Sequence, residues 1–121
     1  LRPERIGHGV NAIRDLALVD RLAEQGVMLE VCPGSNVALG LYGWRDHPIA
    51  ELDRRGVRVS VSTDDPPFFH TTMACEFDRL HDAFDWDEGQ FARITRQSLD
   101  AAFCDADTRA TIAKRLEAPD V

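Results

Sequence analysis

Two adjacent carboxylates, Asp64 and Asp65, follow an alternating apolar run and are themselves followed by two prolines. Residues 57–61 alternate valine with arginine and serine, which is the period-two pattern of a β-strand. Proline cannot donate a hydrogen bond to a strand ladder, so the strand should end at the aspartates. In α/β folds this carboxyl edge of the sheet is where catalytic residues lie. The stretch therefore predicts metal or acid–base chemistry by carboxylates.

Neighbouring residues on a strand point to opposite faces, so Asp64 and Asp65 are expected to perform different tasks. If one carboxylate faces a metal, the other can face the wall of a neighbouring pocket. A plainer interpretation stays open, because Asp and Pro both favour tight turns for reasons of local backbone geometry. On that interpretation the DDPP segment is a turn without chemistry.

A histidine, His8, lies between Gly7 and Gly9 near the end of a short strand-like run over residues 4–10. Glycine on both sides leaves room for a ligand or another backbone to come close. A histidine at such a place can bind a metal or shuttle a proton. The alternative is a histidine that packs in the core and has no chemical role.

A third candidate segment has the sequence Pro-Gly-Ser-Asn at residues 33–36 and follows the apolar run of residues 27–33. We predict that it is a loop at the same edge of the sheet. Its backbone N–H groups could hold an anion such as phosphate. A non-catalytic purine- or anion-binding module is therefore an alternative function.

The elements that must position these residues alternate between strand and helix. We predict strands over residues 4–10, 27–33 and 57–63, with amphipathic helices over 15–25 and 47–55 between them. This alternation indicates βα units, a parallel sheet and right-handed crossovers. Three helices follow, with apolar stripes at Met73, Phe77, Leu80 and Phe84, at Phe91, Ile94, Leu99 and Phe103, and at Ile112 and Leu116, the last capped by Asp105 or Asp107.

Three parallel strands leave a sheet edge exposed and make a poor independent domain. The chain also starts without methionine, and we expect residues 1–121 to be a single incomplete domain of a longer protein. Residues 1–70 would supply the last three βα units of a closed eight-stranded β/α barrel, a fold of about 250 residues. Residues 71–121 would supply its terminal helices. An open doubly wound sheet is the alternative fold.

Composition narrows the classes of function. The 121 residues carry a formal net charge of −7 without a stripe of Lys or Arg, which argues against nucleic acid or an anionic membrane as a partner. The sequence contains no run of eighteen apolar residues, so no transmembrane helix is predicted. The cysteines, Cys32, Cys75 and Cys104, are far apart and odd in number, which favours reduced, buried thiols in a cytoplasmic protein.

The motifs RIGHGV, LEVCPGSNVALG and STDDPPFF occur in this order at predicted strand ends. In combination they resemble the C-terminal third of the adenosine and adenine deaminase family. The resemblance implies a zinc-dependent β/α (TIM) barrel of the metallo-dependent hydrolase type, with one zinc per complete active site. It also implies that the complete protein removes the 6-amino group of a small purine nucleoside as ammonia, through a zinc-activated water, in purine salvage.

Three residues match functional positions of that family. Asp64 matches the zinc-ligand aspartate, which also accepts a hydrogen bond from the metal-bound water. Asp65 matches the aspartate that contacts N7 of the purine, and His8 matches the catalytic histidine of the GHG motif, which holds or polarises the attacking water. Gly7 favours adenosine, and with it deoxyadenosine, because adenine-preferring relatives often have aspartate there. Adenine deaminase stays the alternative.

Other parts of the family site have no match in the chain: the HxH zinc ligands, a third zinc-binding histidine and the glutamate that protonates the purine ring. His47, His70 and His81 lie outside any ligand motif and are predicted to be surface or packing residues. The 121 residues alone are therefore not expected to hold zinc tightly or to turn over. A fragment that pairs with another chain through its exposed sheet edge is a further alternative.

Overall fold

A computed structural model describes residues 2–118, and a three-stranded parallel sheet forms its centre. Side by side and in chain order, the strands are β1 (Arg5–Gly7), β2 (Met28–Val31) and β3 (Arg58–Val61). In the register, Leu29 of β2 lies opposite Ile6 on one side and Val59 on the other. The prediction of three βα units around a parallel sheet is confirmed.

Each connection between strands contains helix. A 3-10 helix (Val10–Arg14) and α1 (Leu16–Glu24) join β1 to β2, and the connection from β2 to β3 contains α2 (Pro33–Ala38) and α3 (Ile49–Arg54). Asp15 is the N-cap of α1 and not its first helical residue, since its side chain accepts a hydrogen bond from Leu18 N at 3.1 Å.

Four helices follow the sheet: α4 (Pro66–Phe69), α5 (Met73–Phe84), α6 (Glu88–Asp100) and α7 (Ala106–Glu117). The last three are the predicted terminal helices. Thr72, Asp87 and Asp105 cap them, each accepting a hydrogen bond from a backbone N–H of the first turn. Of the two candidate caps for α7, Asp105 is the one that the structure uses.

The core holds the carboxyl edge of the sheet in place. Met28 and Leu29, which point to opposite faces of β2, are both fully buried, as expected for a strand covered on both sides. Leu52 of α3, Leu80 of α5 and Ile94 of α6 pack into the same core. Each such side chain contributes about 1.5–3 kcal/mol by leaving water.

Parts of the predicted apolar stripes lie on the surface. Phe103 is 78% exposed because α6 already ends at Asp100, and the guanidinium of Arg5 lies 5.6 Å from its ring centroid. Ile112 and Leu116 are also exposed, so the third stripe is not a core face in the part of the chain that the structure describes.

Three segments near the site differ from the sequence expectation. β1 stops at Gly7 because His8 and Gly9 turn into left-handed conformations, with φ of 54° and 72°. Residues 33–36 form the first turn of α2 and not a loop, since the fixed φ of proline suits the first position of a helix. β3 stops at Val61, before the aspartates.

All three cysteines are free, but their burial differs. Cys32 is buried after β2, whereas Cys75 and Cys104 are only half-buried, so the prediction of burial fails for these two. Cys75 lies in the first turn of α5, and Cys104 lies between α6 and α7. Within residues 2–118, no helix is both long enough and apolar enough to cross a membrane.

Candidate active site

His8, Cys32 and Asp64 come together at the carboxyl edge of the sheet. Each follows a different strand, and one donor atom from each lies within 4.8 Å of the other two. His8 Nε2 is 3.6 Å from Asp64 Oδ2. The structure therefore brings together His8 and Asp64, as expected from their positions at strand ends. It adds Cys32, which sequence reasoning placed at the end of an apolar strand but assigned to packing alone.

The side chains of His8 and Asp64 are oriented by a left-handed backbone conformation at each residue. His8 and Asp64 have φ of 54° and 61°, a conformation that costs a residue with a side chain about 1–2 kcal/mol. Gly9 follows at φ 72°, where an added Cβ would lie 2.7 Å from a methyl carbon of Leu29. Glycine is thus favoured beside His8. The backbone strain at His8 and Asp64 is of the kind that is concentrated at functional sites.

Ser35 fixes the carboxylate of Asp64. Its Oγ donates a hydrogen bond to Asp64 Oδ2 at 2.7 Å, across the gap between α2 and the segment after β3. Ser35 is fully buried, and its hydroxyl faces Asp64 because α2 begins at Pro33. Sequence reasoning missed this contact, although the Pro-Gly-Ser-Asn segment had been singled out.

Asn36 and His47 lie behind His8, and both are 2% exposed. Asn36 Nδ2 is 3.5 Å from His8 Nδ1, and Asn36 Oδ1 is 3.0 Å from His47 Nε2. Burial lowers the pKa of His47 to about 4, against a smaller opposing effect of the Asp46 charge. His47 is a packing residue, as predicted, and its contact with the site runs through Asn36, whereas His70 and His81 are exposed.

Glu76 of α5 is a fully buried carboxylate that anchors the start of α2. It accepts hydrogen bonds from Gly34 N at 2.8 Å and from Thr71 Oγ1 at 2.7 Å. Sequence reasoning gave Glu76 no role. The Gly34 N–H, one of the backbone donors considered for anion binding at residues 33–36, therefore already has an acceptor.

Replacing Gly34 by alanine should destabilise the complete protein by about 2–4 kcal/mol. A Cβ at this position would clash with Glu76 Oε1, so a buried carboxylate would have to move from its partners. Helix propensity favours alanine over glycine by about 1 kcal/mol. Any loss of stability in the variant would therefore come from the clash between the added Cβ and Glu76. Urea unfolding measures the change in the free energy of unfolding.

Gly40→Ala is the matched control. Gly40 has φ 72° and no atom within 4 Å of an added Cβ, so its substitution should cost only the left-handed backbone penalty of about 1–2 kcal/mol. If the Gly34→Ala variant were as stable as the unsubstituted protein, Glu76 would not anchor α2 as described.

Asp65 is not part of the cluster. Its side chain is the N-cap of α4, where Oδ1 accepts a hydrogen bond from Phe68 N at 3.3 Å. Asp64 and Asp65 therefore have separate partners, although the cause is the turn after β3 and not the alternation of a strand. The interpretation of DDPP as a turn thus holds for Asp65, which caps α4. Asp64, in the same segment, lies in the cluster with His8 and Cys32.

The donor set of the cluster fits zinc, which binds histidine nitrogen, cysteine sulfur and carboxylate oxygen. Cys32 is the least available of the three. Burial, with added repulsion from the charges of Asp64, Glu76 and Glu30, raises the pKa of its thiol to about 11, so the thiol is protonated at neutral pH. His8 and Asp64 are therefore the stronger candidate ligands of the three.

A cavity of about 610 Å³ opens beside this cluster, within the size range of small-molecule sites. His8 and Asn36 contribute polar atoms to its wall, and leucines such as Leu29 and Leu41 make most of the rest apolar. The arrangement can therefore hold a small, largely apolar ligand next to a histidine.

Comparison with known proteins identifies the family. Residues 1–119 match the family model described as adenosine deaminase. Adenine deaminases from Rhizobium leguminosarum bv. trifolii (strain WSM2304) and Agrobacterium fabrum (strain C58) are 48% and 50% identical over 117 residues. In both cases the alignment covers 96% of this chain and 36% of the relative. The chain thus spans about a third of the length of these relatives.

Solved structures agree on the fold. The crystal structure of an adenine deaminase from Arthrobacter aurescens superposes with a TM-score of 0.89 at 30% identity, covering 94% of this chain and 35% of the other. An amidohydrolase with bound Zn from Burkholderia ambifaria superposes with a TM-score of 0.81 at 21% identity, covering 94% of this chain and 32% of the other, which bears on the fold alone. The chain has the fold of the C-terminal portion of a β/α barrel, as predicted, and it belongs to the adenosine deaminase family.

Proposed function

We propose that this chain is the C-terminal part of a single barrel domain whose complete form hydrolyses the 6-amino group of a purine and releases ammonia. The observation that carries the proposal is the convergence of His8 and Asp64 at the carboxyl edge of the sheet, with 3.6 Å between Nε2 and Oδ2. Family membership supports the reaction class, and the carboxylate of Asp64, beside the His8 ring, offers an oxygen ligand of the kind that zinc binds.

Each residue of the site has a distinct proposed role. Asp64, held by Ser35, is a zinc ligand, and residues outside this chain supply the other ligands. When bound, zinc lowers the pKa of a water ligand towards neutrality. His8 orients the attacking water through its ring, and Asp65 holds the purine at N7. Cys32 stays a neutral packing group.

Of the possible substrates, we propose adenine first. The relatives at 48% and 50% identity are named adenine deaminases, and so is the Arthrobacter aurescens protein of known structure. Adenosine is the second candidate, since Gly7 precedes His8 in the motif. An Arabidopsis protein of the same fold, at 19% identity, has been solved in complex with IMP and with GMP. We further propose a cytoplasmic location, in keeping with three free cysteines.

Ammonia release by the complete protein tests this proposal, with adenine, adenosine and deoxyadenosine as separate substrates. We expect the value of kcat/KM to be highest for adenine. A higher value for adenosine would exchange the two candidates within the same reaction class. Purine binding without ammonia release from any of the three would overturn the proposed function in favour of a binding module.

The Asp65→Asn variant separates the roles of the two aspartates. Asparagine is as good an N-cap as aspartate, so α4 should be preserved while the charge that we propose holds the purine is lost. We expect unchanged zinc content and a fall in kcat/KM of about 10- to 100-fold, the loss of one charged hydrogen bond.

Asp105→Asn is the matched control, because Asp105 is also an exposed N-cap but belongs to α7, remote from the cluster. It should leave both zinc content and turnover unchanged. Loss of zinc from the Asp65→Asn variant would show that the proposed roles of Asp64 and Asp65 are exchanged.

A further inference from the structure

A chain of hydrogen bonds runs from the start of α3 to His8. The backbone N–H of Ile49 donates to His47 Nδ1 at 3.2 Å. A backbone N–H can only donate, so Nδ1 of His47 must carry a lone pair. His47 is buried and neutral, and its single ring proton therefore lies on Nε2.

That proton sets the orientation of the Asn36 amide. His47 Nε2 donates to Asn36 Oδ1 at 3.0 Å, so the amide nitrogen of Asn36 must point the other way, towards His8. The backbone of Asn36 is fixed as well, because its N–H donates to Cys32 O at 3.1 Å and its carbonyl accepts from Leu41 N at 3.0 Å. The side chain is thus a buried donor with one available direction.

The amide nitrogen of Asn36 can only donate, so the ring nitrogen that it faces, His8 Nδ1, acts as the acceptor. At 3.5 Å this contact is the longest and weakest hydrogen bond of the series, and its main effect is on the orientation of the His8 ring. When the His8 ring carries a single proton, this contact places that proton on Nε2, the nitrogen that faces Asp64. Without Asn36, the half-exposed ring could place its proton on either nitrogen.

We propose that His47, acting through Asn36, is a positioning residue for His8 that keeps the His8 ring proton on Nε2, on the side of Asp64. His47 touches neither the substrate cavity nor the metal-fitting cluster, and its effect reaches the site only through the Asn36 amide. The kinetic consequences rest on the proposed deaminase function, whereas the proton position does not.

Nitrogen-15 NMR of histidine ring nitrogens in the complete, zinc-loaded protein reads the proton positions directly. We expect both His8 and His47 to be protonated on Nε2, with the signals assigned from single-histidine variants. A His8 ring protonated on Nδ1, or a His47 ring protonated on Nδ1, would overturn the proposal. The spectrum reports the ring protons whether or not the protein releases ammonia from a purine. Failure of this proposal can therefore be distinguished from failure of the proposed function.

The Asn36→Asp variant keeps the shape of the side chain but replaces the donor with an acceptor. We expect the His8 proton to move to Nδ1 and kcat to fall about 10-fold or more, with KM and zinc content changed less than twofold. An unchanged kcat, or a fall in kcat without a shift of the His8 proton, would overturn the proposal. If the buried charge prevents folding, the spectrum of the unsubstituted protein decides alone.

Substitutions at His47 separate positioning from packing. His47→Phe keeps the edge contact with the Tyr42 ring, whose centroid is 5.6 Å away, but removes the donor to Asn36. We expect it to lower kcat about 3- to 10-fold, and we expect His47→Gln, whose amide can donate to Asn36, to restore most of it. His81→Gln, on the exposed side of α5, is the control. Equal kcat values for the Phe and Gln variants would contradict a positioning role.

Discussion

The Asp64→Ala variant of the complete protein is expected to lose both its zinc and its turnover. Asp64 is the carboxylate of the cluster, and Ser35 holds one of its oxygens at 2.7 Å. Alanine removes the ligand and also leaves the buried Ser35 hydroxyl without its acceptor. Since mutation of groups that merely support a metal ligand lowers metal affinity about 10- to 100-fold, loss of the ligand itself should cost more than about 100-fold.

Metal analysis of the purified protein and ammonia release measure these two effects. Asp20→Ala is a suitable control, because Asp20 is a surface carboxylate of α1 that faces Arg55 at 3.7 Å, away from the cluster. It should retain full zinc content and turnover. An Asp64→Ala variant that kept one zinc per chain would refute the assignment of Asp64 as a ligand.

Replacement of His8 by asparagine should lower kcat by about 10²- to 10⁴-fold while the zinc content stays near one per chain. The ring of His8 lies beside Asp64 and lines the cavity, so its loss removes the group that orients the attacking water. Asparagine is the substitution of choice because it tolerates the left-handed backbone that His8 adopts.

His70→Asn provides a matched control for backbone effects. His70 also has a left-handed backbone, with φ 50°, and it is exposed at the end of α4. This substitution should leave kcat within twofold of the original value. If the His8→Asn variant had a kcat close to that of the control, His8 would have no role in the reaction.

The strand ends of the site could be predicted because their signals are local. Alternating valines end at the aspartates, and glycines flank His8, so period and backbone chemistry together place both at one edge of a parallel sheet. The short helices at residues 33–38 and 66–69 were harder to predict. Each begins with proline, which marks the end of a strand and also suits the first position of a helix.

The groups that surround His8 and Asp64 could not be predicted in the same way. Ser35 reaches Asp64 across 29 residues of chain, and Glu76 reaches Gly34 across 42. Such pairings depend on how helices pack against the sheet, and no local periodicity encodes them. The burial of His47 likewise follows from the packing of the α2–α3 connection against the core and not from the residues beside it.

Diffraction from crystals of the complete protein at the zinc absorption edge would test the central claim most directly. The account predicts one anomalous peak, from a zinc ion within bonding distance of a carboxylate oxygen of Asp64. The His8 ring should lie beside this ion and the Cys32 sulfur outside its coordination sphere. A peak bonded to the Cys32 sulfur, or zinc bound only at residues remote from Asp64, would contradict the proposed active site.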